Sequence, residues 1–129
     1  DMVSRNHYGN EIFLCGTLAN SFLKPLLSPA QATTNIHMLY GHEGETGTKE
    51  QDNWIMQSDQ GPFALLKIPY LYLGVEDHPD YHKPSDTPDK INYELLENRA
   101  RLVFHTAWEV ANMETRIVAD KAVTKEESK

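Results

Sequence analysis

Ile68-Pro69-Tyr70-Leu71-Tyr72-Leu73-Gly74-Val75 carries apolar side chains on both alternating faces, Ile68, Tyr70 and Tyr72 on one and Leu71, Leu73 and Val75 on the other. A strand with no polar face is buried on both sides of a sheet, so this stretch predicts an α/β architecture with helices against both faces. The polar segment from Glu76 to Lys90 leaves the C-terminal end of that strand. In open α/β sheets that edge is where ligand sites gather, so the chemistry is to be sought there.

Upstream, Glu11–Thr17 and Asn35–Tyr40 are short apolar and β-branched runs bounded by turn residues, and both read as strands. Between them Ala19–Ala32 places Phe22, Leu23, Leu26 and Leu27 at helical spacing, with Pro25 and Pro29 marking two short turns or a helix entered at proline. Gly41–Asp52, rich in glycine and charge, reads as an exposed loop. At Ser58-Asp59-Gln60-Gly61-Pro62-Phe63, Ser58 or Asp59 is placed to cap a helical turn. Ile91–Thr115 holds the strongest helical pattern, with Leu95, Leu96, Arg99, Leu102, Val103, Ala107, Val110 and Ala111 near one face and neither Gly nor Pro inside. The charged tail Arg116–Lys129 either extends that helix or frays from it.

The length of 129 residues and an apolar fraction of 40% suit one compact domain or part of one. Twelve Lys and Arg stand against nineteen Asp and Glu, a formal net charge of -7, and the basic residues are scattered. That argues against nucleic acid as a partner. No apolar run reaches the roughly 20 residues that span a bilayer, and Asp1-Met2-Val3-Ser4-Arg5 lacks the plan of a signal peptide. Such an opening reads either as a tag remnant before a natural start or as a larger protein cut in mid-sequence. Cys15, the single cysteine, sits in the run Ile12-Phe13-Leu14-Cys15 and reads as a buried core residue.

The segment from Glu76 to Asp89 holds Glu76, Asp77, His78, Asp80, His82, Asp86 and Asp89, a density of metal-capable and acid/base groups unusual for a connecting loop. The same stretch also reads as a solvated acidic loop whose Asp86-Thr87-Pro88 caps the next helix. The helical form of His-x-x-x-His zinc spacing and a calcium loop with alternating acids are both absent from it.

Taken whole, Tyr81-His82-x-Pro84-x-Asp86-Thr87-x-Asp89-Lys90-Ile91-Asn92 resembles the last metal-binding motif of the co-catalytic di-zinc aminopeptidases, the bacterial leucyl-type and related enzymes of metallopeptidase clan MH. Asp1-Met2-Val3-Ser4-Arg5-Asn6 resembles that family's Asp-Met-Val-Gly-Arg strand end, and Ser58-Asp59-Gln60-Gly61-Pro62-Phe63 its Ser-Asp-His-x-Pro-Phe turn. The resemblance runs in order from Asp1 to about Asn92, with the long helix after it.

The resemblance implies a three-layer α/β sandwich with a mixed sheet, the zinc-exopeptidase, phosphorylase/hydrolase-like fold. Residues 1–129 would be the C-terminal part of one such catalytic domain. It also implies two zinc ions, with Asp1 a terminal carboxylate ligand of one, His82 the histidine ligand of the other, and Tyr81 a hydrogen-bond donor to the tetrahedral oxyanion. The family's remaining ligands and its general-base glutamate would precede Asp1, so the isolated chain is expected to be inactive. Asp86 or Asp59 would orient the second nitrogen of His82, although helix capping is the first expectation for Asp86. Ser58 would support the metal ligands or belong to the pocket, while Trp54 and Tyr70 read first as packing residues, with Trp54, beside the Ser58 turn, the candidate for lining the pocket. Gln60 stands where many relatives carry histidine and Ser4 where glycine is usual, which bears on pocket shape rather than on the metal set.

His78 reads as an exposed histidine, and His7, His37, His42 and His105 as surface or core residues. The expected reaction is hydrolysis of N-terminal peptide bonds, with a peptide as substrate and secretion or a periplasmic location by analogy. A non-catalytic peptidase-like interaction module and a zinc carboxypeptidase or cyclase of the same clan are the alternatives. A partial sheet would leave an open edge, so the isolated chain is expected either to pair that edge with another copy or to be poorly stable.

Overall fold

The structure is a computed structural model, and it describes residues 1–5, 9–44 and 52–118. Its sheet has three strands in the order β2-β1-β3. The central strand β1 (Glu11–Cys15) runs parallel to β2 (His37–Tyr40) and antiparallel to β3 (Tyr72–Gly74), so the sheet is mixed. The parallel pair is joined through helix α1 (Leu23–Gln31), as a parallel crossover requires. Helix α2 spans Gln60–Leu65, and α3, the longest element, spans Tyr93–Ala111.

Alternation along β1 decides what each face meets. Ile12 and Leu14 are fully buried and join Leu23, Leu27 and Ala30 of α1, Ile36 and Met38 around β2, and Leu95 and Leu102 of α3 in one apolar core. Full burial of such a side chain contributes about 1.5–3 kcal/mol. Phe13, pointing the other way, meets His42 and Trp54 edge-on at 4.5 and 5.6 Å between ring centres, and Trp54 meets Tyr72 at 5.9 Å. Two described helices therefore cover one face, and an aromatic cluster sits on the other.

Residues 68–75 do not form the long strand their pattern predicts. Only Tyr72–Gly74 pair with β1, and Ile68 is exposed. Pro69 has no N–H for a ladder, and the β1 stretch available to pair ends close by at Gly16. There φ is +121° and an added β-carbon would stand 2.4 Å from the Tyr70 carbonyl oxygen, so glycine is required.

Helix α1 tolerates Pro29 inside it because Leu23, Leu27 and Ala30 are buried along one side. Helix α3 begins later than Ile91 and ends before Thr115. Asn92 caps it, accepting from the Leu95 N–H at 3.0 Å, and Asn112 closes it. Asp86 does not cap that helix. The tail as far as Val118 does not extend it, and residues 119–129 lie outside the described residues. Gly41–Gly44 is less exposed than its composition predicts, because the buried Glu43 carboxylate accepts from Thr17 N–H, Thr17 Oγ1 and Leu18 N–H at 2.8–3.0 Å. The rest of that loop, residues 45–51, is outside the described residues.

Arg99 lies among the apolar positions of α3 and is fully buried. Its Nη1 donates to the carbonyls of Val3 and Arg5, both at 3.0 Å, and its Nη2 to those of Gly9 and Glu11 at 3.1 and 2.8 Å. A buried guanidinium is tolerable only when its donors are met. Here main-chain carbonyls meet both terminal nitrogens, Nε is left without a partner among the described residues, and burial lowers the Arg99 pKa. Among the described residues, no helix is long and apolar enough to cross a membrane.

Candidate active site

Beyond β3 the chain folds back so that Asp1, Met2, Trp54, Gln57, Ser58, Gln60, Tyr72, Val75, Asp77 and Tyr81 line one small cleft of about 40 Å³. Asp1 reaches it because its backbone nitrogen donates to Leu73 O at 3.1 Å, which sets it beside β3. The Ser58 hydroxyl, just before α2, donates to Asp1 Oδ2 at 2.8 Å. Ser58 thus fixes a carboxylate rather than capping the helix. Asp59 occupies the cap position without a side-chain bond, and it is exposed.

Gln60 is buried with its Nε2 donating to the Trp54 carbonyl, and Trp54 stacks on His42 with ring centres 3.6 Å apart. Trp54 therefore both packs the second face of the sheet and walls the cleft. Burial raises the pKa of the Tyr72 phenol to about 12, and the charges of Cys15, Tyr81 and Asp77 push it the same way.

The loop that follows is built by three turns, with Tyr81 N donating to His78 O at 2.9 Å, Lys83 N to Asp80 O at 2.9 Å and Asp86 N to Lys83 O at 3.0 Å. His82 is exposed, has φ of 55°, and lays its ring against Tyr81 with centres 3.8 Å apart and planes 22° from parallel. It is not among the residues lining the cleft, whereas Tyr81 is.

His78 is buried, contrary to its expected exposure, and stands edge-on to Tyr81. Its Nε2 is 3.7 Å from Asp86 Oδ2. Asp86 is thus engaged by His78 and by Arg5 Nη1. Arg5 Nη2 donates to Asp80 Oδ2 at 2.6 Å, and Lys90 Nζ donates to Asp80 Oδ1 at 2.9 Å. These two cations, Arg5 first, hold the Asp80 carboxyl well below the usual carboxylate range. His37 is exposed, His42 and His105 are half-buried, and His7 lies outside the described residues.

A model of peptidase family M28 matches residues 1–107. The chain belongs to peptidase family M28. No match was found among curated proteins or solved structures. The M28 match spans all three ordered motifs and ends inside α3, and it makes the chain part of a co-catalytic zinc metallopeptidase family of clan MH. The mixed sheet with its covering helices is that of a small α/β portion of an M28 peptidase domain.

M28 peptidases are zinc-dependent. Asp1 and His82 offer a carboxylate oxygen and an imidazole nitrogen, both zinc donors, and Ser58 orients the first of them. Among the described residues no three His, Cys, Asp or Glu side chains stand close enough to hold a metal ion. The chemistry of these two donors fits zinc, and they do not by themselves make a complete site. Reading the sequence did not single out Arg5 or Tyr72 for the site, whereas Asp77 was among the acid/base groups of the loop. For Arg5 a signal existed, since a lone cation in a motif needs partners and Asp80 and Asp86 flank the histidine.

Proposed function

We propose that this chain is part of a zinc aminopeptidase catalytic domain that hydrolyses N-terminal peptide bonds, with Asp1 and His82 as metal ligands and Tyr81 as donor to the developing oxyanion. The supporting observation is the shared cleft of Asp1 and Tyr81, which lie far apart in sequence and both within the family match. Zinc, when bound, supplies Lewis acidity and a water that ionises near neutral pH. Ser58 keeps the Asp1 carboxylate turned for coordination, while the phenol of Tyr81 stands where negative charge develops on the carbonyl oxygen. Trp54 and Tyr72 line the same cleft and offer their rings to the substrate.

The proposal covers two zinc ions, with the remaining ligands and the general base contributed from outside the described residues. The test compares an aminoacyl-nitroanilide with its N-acetylated form, using the complete zinc-loaded domain that includes this sequence. Cleavage of the free amine alone, lowered about 10²–10³-fold in kcat by Tyr81→Phe, is expected. Equal cleavage of the blocked substrate, or of a C-terminal residue instead, rejects the aminopeptidase reading. The 129-residue chain by itself is expected to show no turnover, so metal-dependent activity of that chain, lost in His82→Ala, would overturn the idea of a shared ligand set.

For the chain alone the reading includes self-association. Strands β2 and β3 each have one side without a described strand partner, and Phe104 and Trp108 of α3 are exposed. Light scattering that finds only monomer at high concentration rejects it.

A further inference from the structure

We propose that Arg5 is a positioning residue that holds the Tyr81–His82 loop in register with Asp1, so that two ligand-bearing segments far apart in sequence are presented together; this rests on the reading of Asp1 and His82 as ligands. Arg5 belongs to the same short segment as Asp1. Its side chain is only 14% exposed, and its two terminal nitrogens divide between Asp80 and Asp86. Those carboxylates bracket His82, one on each side along the chain.

His82 adopts a left-handed backbone at φ 55°. A residue with a β-carbon keeps that conformation only where its surroundings over-determine it. Asp80 and Asp86 are the fixed ends of the turn that does so. Asp86 also extends the arrangement to Tyr81, through the His78 ring standing edge-on to the phenol.

The fork is fixed at its root as well. The Arg5 carbonyl accepts from Arg99 Nη1 at 3.0 Å, and the neighbouring Ser4 carbonyl accepts from Asn92 N at 2.9 Å. The segment bearing Asp1 and Arg5 is thus held by the start and the middle of α3, and from that base it holds the loop. An exposed ion pair contributes little, but a planar guanidinium shared between two carboxylates fixes orientation in a way a lysine cannot reproduce.

The stacked Tyr81 ring gives the His82 imidazole protons a ring-current shift, which proton NMR reads in the chain without zinc or peptide. In Arg5→Lys and in Asp86→Asn that shift is expected to collapse to free-histidine values while the methyl resonances of Ile12 and Leu102 stay in place. In the complete zinc-containing domain the same variants are expected to weaken metal binding about 10–100-fold. An unchanged His82 shift in both variants overturns the proposal, and so does a lost shift with unchanged metal affinity. If Arg5→Lys does not fold, Asp86→Asn decides alone, since Asp86 is 42% exposed; loss of methyl dispersion in that variant also overturns it. Because the NMR measurement needs no hydrolysis, its failure leaves the aminopeptidase reading standing, and failure of the hydrolysis test leaves the NMR result intact.

Discussion

The Ser58 hydroxyl lies 2.8 Å from Asp1 Oδ2, a hydrogen bond that spans 57 positions of sequence and joins the turn before α2 to the segment beside β3. The bond occupies one carboxylate oxygen and leaves the other for a cation. Ser58→Ala is expected to weaken zinc binding by the complete domain about 10–100-fold, with little change in thermal midpoint. Chelator competition measures this, and unchanged affinity would assign Ser58 to packing alone.

Replacing Arg99 tests the opposite kind of contact. Arg99→Met removes the donors from four carbonyl groups at once, and each buried acceptor left unmet costs about 1–3 kcal/mol. A loss of at least about 3 kcal/mol in urea denaturation is expected. A loss under about 1 kcal/mol would mean that water replaces the guanidinium at little cost.

Tyr72 sets an alkaline limit. Its folded pKa is raised to about 12, so the folded protein keeps a proton that the unfolded chain releases near pH 10. Stability present below that pH is lost as pH rises from about 10 to about 12. Tyr72→Phe is expected to move the alkaline unfolding midpoint upward and leave stability at pH 7 nearly unchanged. The slope that remains belongs in part to Tyr70, whose phenol burial also raises. Identical alkaline curves for the two proteins would reject the assignment.

Helix α3 offers a smaller test. Asn92→Ala removes the cap on Leu95 N–H and is expected to cost about 1 kcal/mol, whereas Asn92→Asp is expected to be nearly neutral. Equal losses in thermal denaturation would show that the side-chain amide, not its oxygen, matters.

The apolar rows were legible wherever one periodicity dominated. Glu11–Thr17 was read as a strand from its apolar run, and Leu95 and Leu102 were placed on one face of α3 by their spacing. The stretch Ile68–Val75 misled because a two-sided apolar row cannot reveal how far a neighbouring strand extends, and Pro69 and Gly16 cut the ladder short. Asp86 misled for another reason. Its place before Thr87-Pro88 is that of a cap, but the guanidinium that claims it comes from Arg5, and local spacing carries no information about so distant a partner. Family motifs pointed to Tyr81, His82 and Asp1, while the Trp54 and Tyr72 wall and the burial of His78 depend on tertiary packing.

Arg99 has a kinetic consequence. Its bonds to Val3 and Glu11 close loops of 96 and 88 residues, so α3 gains its full tethering only after nearly the whole described chain has collapsed. Long closures of this kind are paid in entropy before they return enthalpy, and they slow folding. Amide exchange in β1 and in the middle of α3 is therefore expected to report one shared opening, with β1 and α3 separating together.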